Sequence, residues 1–437
     1  MRCLLHRPAC GGSRLAIGHE SMSTRTLGGL QVATLLVSAS YGIGFLFGSG
    51  ELALSHGMAG GLYGVATAAG MLILALLARS LWSLGVPIWD VLGQAYGPTV
   101  MKGIALLSVV WMAGVLAAQI QGGIAVARLI RLDTTVAQVV VLLLIFGAAR
   151  LDLGLAARLF ASCLLLSGVV LVWALVRADG LALYLHALPA FASDLPSYGV
   201  ARLIAVTLGV GLMAVAGSDY HQFVQAARDS TSASRGCVLA AVLLVGLALL
   251  PPAVVVAMVG AVPALGPGEG QQVVPRLLAR AARSLGSGAE TILLAALSTA
   301  ALGSGAAILR AMSSALASAL PRRRGTSVLA LFLGAVIAGR GQAIVDTMVS
   351  VNMVYLASVA VCAGAVFIGK PLAPSRALAT MGAGFAASAS IYAASWCGLE
   401  FGDADLVSLS GGLVGSALAA ASWSRSSSTR GSKLRAD

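Results

Sequence analysis

Most of this chain is long apolar runs, so the polar side chains inside those runs are the first places to look for chemistry. Glu51 stands near the end of the first run, just beyond a cluster of glycines. A charged side chain at membrane depth is costly and usually marks a binding, proton or gating position. Glu51 therefore has two readings: a cavity-facing proton or amine site, or an interfacial carboxylate. Asp346 opens a later run, where it either closes a gate or answers the positive end of its own helix. Arg310 lies in the second half of another run. It either attracts an anion or an inner-gate partner, or snorkels to the headgroups. Gln119 and Gln121 can hydrogen-bond a solute or a neighbouring helix. Asn352 and Tyr355 share a helical face, and Phe45 and Ser49 lie one turn apart beside the first glycine cluster. Phe45, Ser49, Glu51, Gln119 and Asn352 are the candidate solute-binding side chains. Tyr220 and His221 fall at the end of the sixth run, and His221 reads as structural.

The elements that must position these groups follow from composition. Of 437 residues, 58% are hydrophobic and 10% charged, with a mean hydropathy of +0.93. A soluble domain carries about a quarter charged residues, so lipid is the solvent for much of this surface. The 53 glycines suit helices whose backbones approach closely. Backbone groups in lipid must be satisfied within the segment, which makes each span a helix of roughly 20 residues. About twelve are expected: 28–54, 58–82, 99–127, 134–149, 155–177, 199–218, 235–262, 287–319, 326–339, 343–369, 375–396 and 405–423, with an amphipathic stretch near 271–285.

The net charge of +12 does not point to nucleic acid, because no aromatic-basic stripe accompanies it. The basic residues collect in short loops. With the N-terminus inside, the inner segments carry most of the Lys and Arg, and the last outer loop is acidic through Glu400, Asp403 and Asp405. That bias places both termini in the cytoplasm of a multi-pass protein of the inner (plasma) membrane. Residues 1–27 read as a disordered cytoplasmic tail without the apolar core of a signal peptide, with Met22 as a second possible start. The core is expected over 28–372, two accessory helices over 373–423 and a second tail over 424–437. The six cysteines form no CxxC pair and read as small apolar residues.

Two spans share a peculiarity. The first reads Ser38-Ala-Ser-Tyr-Gly-Ile-Gly-Phe-Leu-Phe-Gly-Ser-Gly-Glu51, and the sixth holds Gly209, Gly211 and Gly217 before Ser218-Asp219-Tyr220. Glycine inside a helix permits unwinding. Two glycine-interrupted spans, five apart, point to inverted repeats over about 28–178 and 199–372, with ion and solute held at the breaks.

Four stretches resemble the sodium:solute symporter family. They are Ala39-Ser-Tyr-Gly-Ile-Gly with Gly57-Met-Ala-Gly-Gly-Leu, then Ala118-Gln-Ile-Gln-Gly-Gly123, then Gly217-Ser-Asp-Tyr-His-Gln-Phe-Val-Gln-Ala-Ala-Arg-Asp229, and Ala295-Ala-Leu-Ser-Thr-Ala-Ala-Leu-Gly-Ser-Gly305. The resemblance implies an all-α polytopic protein of about twelve helices with a LeuT-type 5+5 inverted repeat. It also implies a sodium ion held by the carbonyls of Ala39 and Gly42 and by Ala295, Ser298 and Thr299 of the eighth span. A second alignment sets Ala300, Gly303 and Ser304 in those places with one hydroxyl fewer, so the first is preferred. The family's Asp early in the fifth span has no match here, where Ala157 and Arg158 stand, and its extra helix before the core is absent.

The expected function is secondary active transport of a small polar solute by alternating access, coupled to sodium. A proton-coupled or uncoupled carrier of the amino-acid-permease type, a non-transporting membrane sensor and a channel are the alternatives. The short stretch after Trp423 argues against a sensor's output domain, and paired breaks argue against a channel. No Walker loop, HExxH or GxSxG sequence suggests an enzyme.

Overall fold

Apolar runs with few interruptions fold as helices throughout. The computed structural model describes residues 25–258, 270–284, 286, 288–320, 325–339 and 344–433. Most of the expected N-terminal tail and the last four residues lie outside the described residues.

The first span is two helices, α1 (Gly29–Ser40) and α2 (Ile43–His56). The chain then reverses at Gly57, whose φ of 55° favours glycine. A short 3-10 turn, Gly57–Gly61, folds back on α2 so closely that a side chain on Gly60 would meet the Ala53 amide at 2.6 Å and the Ser49 carbonyl at 2.7 Å. Next come α3 (Leu62–Leu84), the short α4 (Ile88–Tyr96), α5 (Pro98–Leu129), α6 (Thr134–Ala148) and α7 (Leu153–Arg177). The expected loop before the sixth span holds α8 (Leu181–Leu185) and α9 (Ala187–Asp194). The stretch Ala187–Tyr198 meets the following helix at 114°. Asp194 pins it to the first hairpin by accepting the Met58 amide at 2.8 Å.

The second half repeats the plan. α10 (Val200–Ala216) and α11 (Ser218–Gln225) form a second broken span, followed by α12 (Ser230–Met258), the amphipathic α13 (Val273–Arg283), α14 (Ala289–Ala319), α15 (Thr326–Ala338) and α16 (Ile344–Phe367). The accessory pair α17 (Pro374–Trp396) and α18 (Ala404–Lys433) pack on each other and on α16. Equivalent members of the two halves pack together, α3 on α12 and α5 on α14. Among the described residues, six stretches are long and apolar enough by themselves to cross a membrane. Phe45–Leu84 is one of them, although it folds back at Gly57.

Two boundaries differ from expectation. The sixth span continues past 218 to Gln225, because Gly217 interrupts the helix and does not end it. Gly209 and Gly211 stay helical; a side chain on Gly209 would strike the Met353 side chain, and the Gly211 carbonyl lies against Gly70. α18 continues to Lys433, past the apolar stretch Ala404–Ala421, through a Ser- and Arg-rich end that holds no proline.

Helix ends are satisfied locally. Asp133 caps α6 through the Thr135 amide at 2.8 Å, and Asp229 accepts from the Ser232 amide at 2.7 Å. Those bonds hold both carboxyls below the usual carboxylate range. Arg310 does related work between helices. Its guanidinium donates to the carbonyls of Ala149, Ala148 and Leu151 at 2.8, 3.1 and 2.7 Å, where α6 ends. It thereby caps the carbonyls at and just beyond the end of α6, and its charged fork is turned to backbone. Arg310→Met leaves these carbonyls short of donors and is expected to lower stability by about 1–3 kcal/mol. Arg310→Lys should recover only part, because an ammonium cannot fork across three acceptors. Thermal unfolding in detergent checks both.

Candidate functional site

The two breaks face each other at the centre of the bundle. α1 ends at Tyr41, Gly42 is extended (φ −71°, ψ 174°), and α2 starts afresh. The last carbonyls of α1 therefore lack their usual amide partners. The Ala39 carbonyl instead accepts the Ser304 hydroxyl of α14 at 2.7 Å. In the other break Gly217 has φ −68° and ψ 118°. The Val215 carbonyl released there accepts His221 Nε2–H at 2.7 Å, the structural role expected of that histidine. The breaks touch through Ser40, whose hydroxyl lies 3.3 Å from the Tyr220 hydroxyl.

Gly42 marks the tightest point. A Cβ there would collide with Gln119 Oε1 and would lie 2.6 Å from Ser304 Cβ and 2.8 Å from Ser304 Oγ. Three oxygens thus converge on one strip of unwound backbone: the Ala39 carbonyl, the Ser304 hydroxyl and the Gln119 amide oxygen.

Beside this cluster is a small cavity. Ala39 and Ser40 wall one side, Tyr63 and Thr67 of α3 and Trp111 and Gln119 of α5 another. Met213, Asp219 and Tyr220 come from the sixth span, and Met348 and Asn352 from α16. The space open to the centre of a water is ≈ 20 Å³, room for a water or two. Trp111 Nε1–H donates to Asn352 Oδ1 at 2.5 Å, which fixes that amide. Tyr63 continues into an aromatic row, with Phe45 edge-on at 5.8 Å and Tyr41 at 5.1 Å from Phe45.

Contacts at both ends of the bundle tie the helices around the cavity together. At the end where the sixth span starts, Arg202 pairs with Asp346 at 2.5 Å and with Asp405. At the opposite end the segment ahead of α1 is clipped to the α11–α12 junction. The Leu27 amide donates to the Ala226 carbonyl at 3.1 Å, the Arg228 amide to Leu27 at 2.9 Å, and Trp82 Nε1–H to Ala227 at 2.8 Å.

Of the solute candidates read from sequence, Gln119 and Asn352 line this cavity. Phe45 lies behind it in the aromatic row. Ser49 is fully buried on the first hairpin, outside the lining. Glu51 packs by Gly270 near the start of α13, also outside. Gln121 donates to the Ala338 carbonyl at 3.2 Å and so ties α5 to α15. Of the ion candidates, Ala39 and Gly42 are in the oxygen cluster. Ala295 is exposed, and the Thr299 hydroxyl turns back to the Ala295 carbonyl at 2.7 Å. The side chain of Ser298 lies outside the described residues. Among the described residues, the eighth-span hydroxyl that meets the first break is that of Ser304.

Sequence reasoning passed over Asp219. Next to Ser218 it looks like a helix-start acid at a surface. The glycine before it was the available signal, since a break puts that helix start inside the span.

The fold has solved counterparts. The chain matches a Na+-coupled sialic acid symporter, in a substrate-bound outward-open state, with a TM-score of 0.65. The match covers 92% of this chain and 93% of that one at 14% identity. The fold is LeuT-type. A mutant manganese transporter of Eremococcus coleocola matches with a TM-score of 0.55, over 92% of this chain and 96% of that one at 15% identity. No family model and no curated protein matches the sequence.

Proposed function

We propose that this chain is a secondary active transporter of the sodium:solute symporter type, which imports a small polar solute with sodium by alternating access. The observation that carries the reading is the oxygen cluster at Gly42. Sodium is a hard cation and takes oxygen ligands, which unwound backbone supplies. The Ala39 carbonyl and the Ser304 hydroxyl already share a hydrogen bond. A cation between them would draw on both oxygens, with the Gly42 backbone and Gln119 at hand. The proposal takes Ser304 where the sequence alignment preferred Ser298 and Thr299.

Sodium there would join the broken first span to α14, and solute would occupy the adjacent cavity. Each ligand would then favour the other through the shared geometry of α1, a reciprocal coupling. In this reading the contacts at the two ends, Arg202 with Asp346 and Leu27 with Ala226 and Arg228, are the ones that alternating access would open in turn. The Lys and Arg bias supports a plasma-membrane orientation with both termini cytoplasmic.

The test is a sodium titration of reconstituted protein by thermal stability, with potassium holding ionic strength constant. Wild type should show saturable, sodium-specific protection, about 2.7 kcal/mol at a hundred times Kd. Ser304→Ala should lose it, and Ser298→Ala should keep it. Equal protection by potassium, or an undiminished response in Ser304→Ala, would sink the proposed ion site.

A further inference from the structure

We infer that the central cavity, which in this arrangement has room for a water or two and must widen when the helices part, selects a cationic solute, an ammonium or guanidinium compound, with Asp219 as its counter-ion and the rings of Trp111, Tyr63 and Tyr220 among its walls. This rests on the reading of that cavity as the solute site.

Asp219 is 2% exposed, and its Oδ1 has no hydrogen-bond partner. It lines the cavity, and no Lys, Arg or His lines the cavity with it. Among the described residues no salt bridge reaches it. The start of α11 offers it the backbone amides of Asp219 and Tyr220 and a partial positive charge, roughly half an elementary charge at most, while Oδ1 stays without a partner. A carboxylate in low dielectric with so little compensation is strongly unfavourable unless a proton or a mobile cation joins it.

The rest of the lining favours an organic cation. Trp111, Tyr63 and Tyr220 line it with aromatic rings, and a cation over a ring face is attracted by its quadrupole, more so when water is excluded. Gln119 and Asn352 add amides for a polar tail, and Met213 and Met348 complete an apolar wall. An anionic solute would set like charges together in a water-poor space. A neutral polyol would require Asp219 to take up a proton instead.

The experiment uses the full-length protein, reconstituted in saturating sodium and followed by thermal stability. The probes are choline, putrescine and agmatine. Their controls are the uncharged isosteres 3,3-dimethylbutanol and 1,4-butanediol and the dianion succinate. At least one cation should protect wild type, while its uncharged counterpart and succinate do not. Asp219→Asn should weaken that protection at least about 30-fold, and Trp111→Leu should weaken it less. A cooperative thermal unfolding transition without sodium or solute serves as the folding control for each variant.

The inference is overturned if no cation protects wild type, if uncharged isosteres protect equally, or if Asp219→Asn binds the cation undiminished. It is also overturned if Asp219→Asn abolishes the sodium response itself, which would make Asp219 an ion ligand. Protection by cations without any sodium dependence would remove sodium coupling and leave this assignment standing.

Discussion

Gly42→Ala is expected to abolish the sodium response while Gly364→Ala leaves it unchanged. Both substitutions add one methyl group to a glycine in an apolar span. At Gly364 nothing lies within 4 Å of the added carbon, and the residue is helical. Alanine there should be neutral or slightly stabilising, by up to about 1 kcal/mol through helix propensity. At Gly42 the same carbon would lie 2.6 Å from Ser304 Cβ and would collide with Gln119 Oε1. Backbone strain is not the reason, since φ of −71° suits any residue. The reason is that α14 and α5 both close on this position. Overpacking of this kind costs about 1–3 kcal/mol, and here relief requires Ser304 or Gln119 to leave the oxygen cluster. Thermal stability and the sodium titration should therefore fall together in Gly42→Ala. A variant that melts lower but keeps wild-type sodium protection would show that the cluster is packing alone.

Which features were legible in sequence depends on how many solutions each pattern allows. The spans were readable because an apolar run of 20 residues has one stable form in lipid. The break at Tyr41–Gly42 was readable from glycine density, and the one at Gly217 only in part. Gly209 and Gly211 carry the same composition signal, yet they serve close packing against Met353 and α3. The eighth span was ambiguous for another reason. Residues 295–307 are nearly all small, so composition does not say which face meets the first break. A hydroxyl pair such as Ser298-Thr299 is a weak indicator, because a helical hydroxyl can always bond the carbonyl four residues back. Thr299 does so. Ser304 reaches the Ala39 carbonyl instead, and that choice is made by the packing of α14 on α1, which no local pattern encodes.

Arg202→Met should produce the largest loss of stability among the charged residues at the end of the bundle where the sixth span begins. Arg202 joins three helices: it pairs with Asp346 in the first turn of α16 and with Asp405 in the first turn of α18. The two carboxylates differ in environment. The Asp346 side chain is 57% exposed and that of Asp405 only 7%. An exposed pair is worth about 0–1 kcal/mol, so Asp346→Asn should cost little. Asp405 without Arg202 would keep only the Tyr392 hydroxyl, which donates to it at 2.5 Å. Removing one partner of a fully buried pair costs about 3–5 kcal/mol. The guanidinium is itself partly exposed, which lowers the expectation to about 1–3 kcal/mol for Arg202→Met. The double substitution Arg202→Met with Asp405→Asn should recover part of that loss, because no buried charge is left behind, whereas adding Asp346→Asn to Arg202→Met should recover almost nothing. Melting temperatures of these variants form a double-mutant cycle. If Asp346→Asn proves as costly as Asp405→Asn, the exposed pair carries the contact and Asp405 is held by other means. If the predicted order holds, Arg202 fastens α10 to α18 firmly and to α16 weakly. Opening this end of the cavity would then break the weak Asp346 contact first and leave α10 attached to the accessory helices.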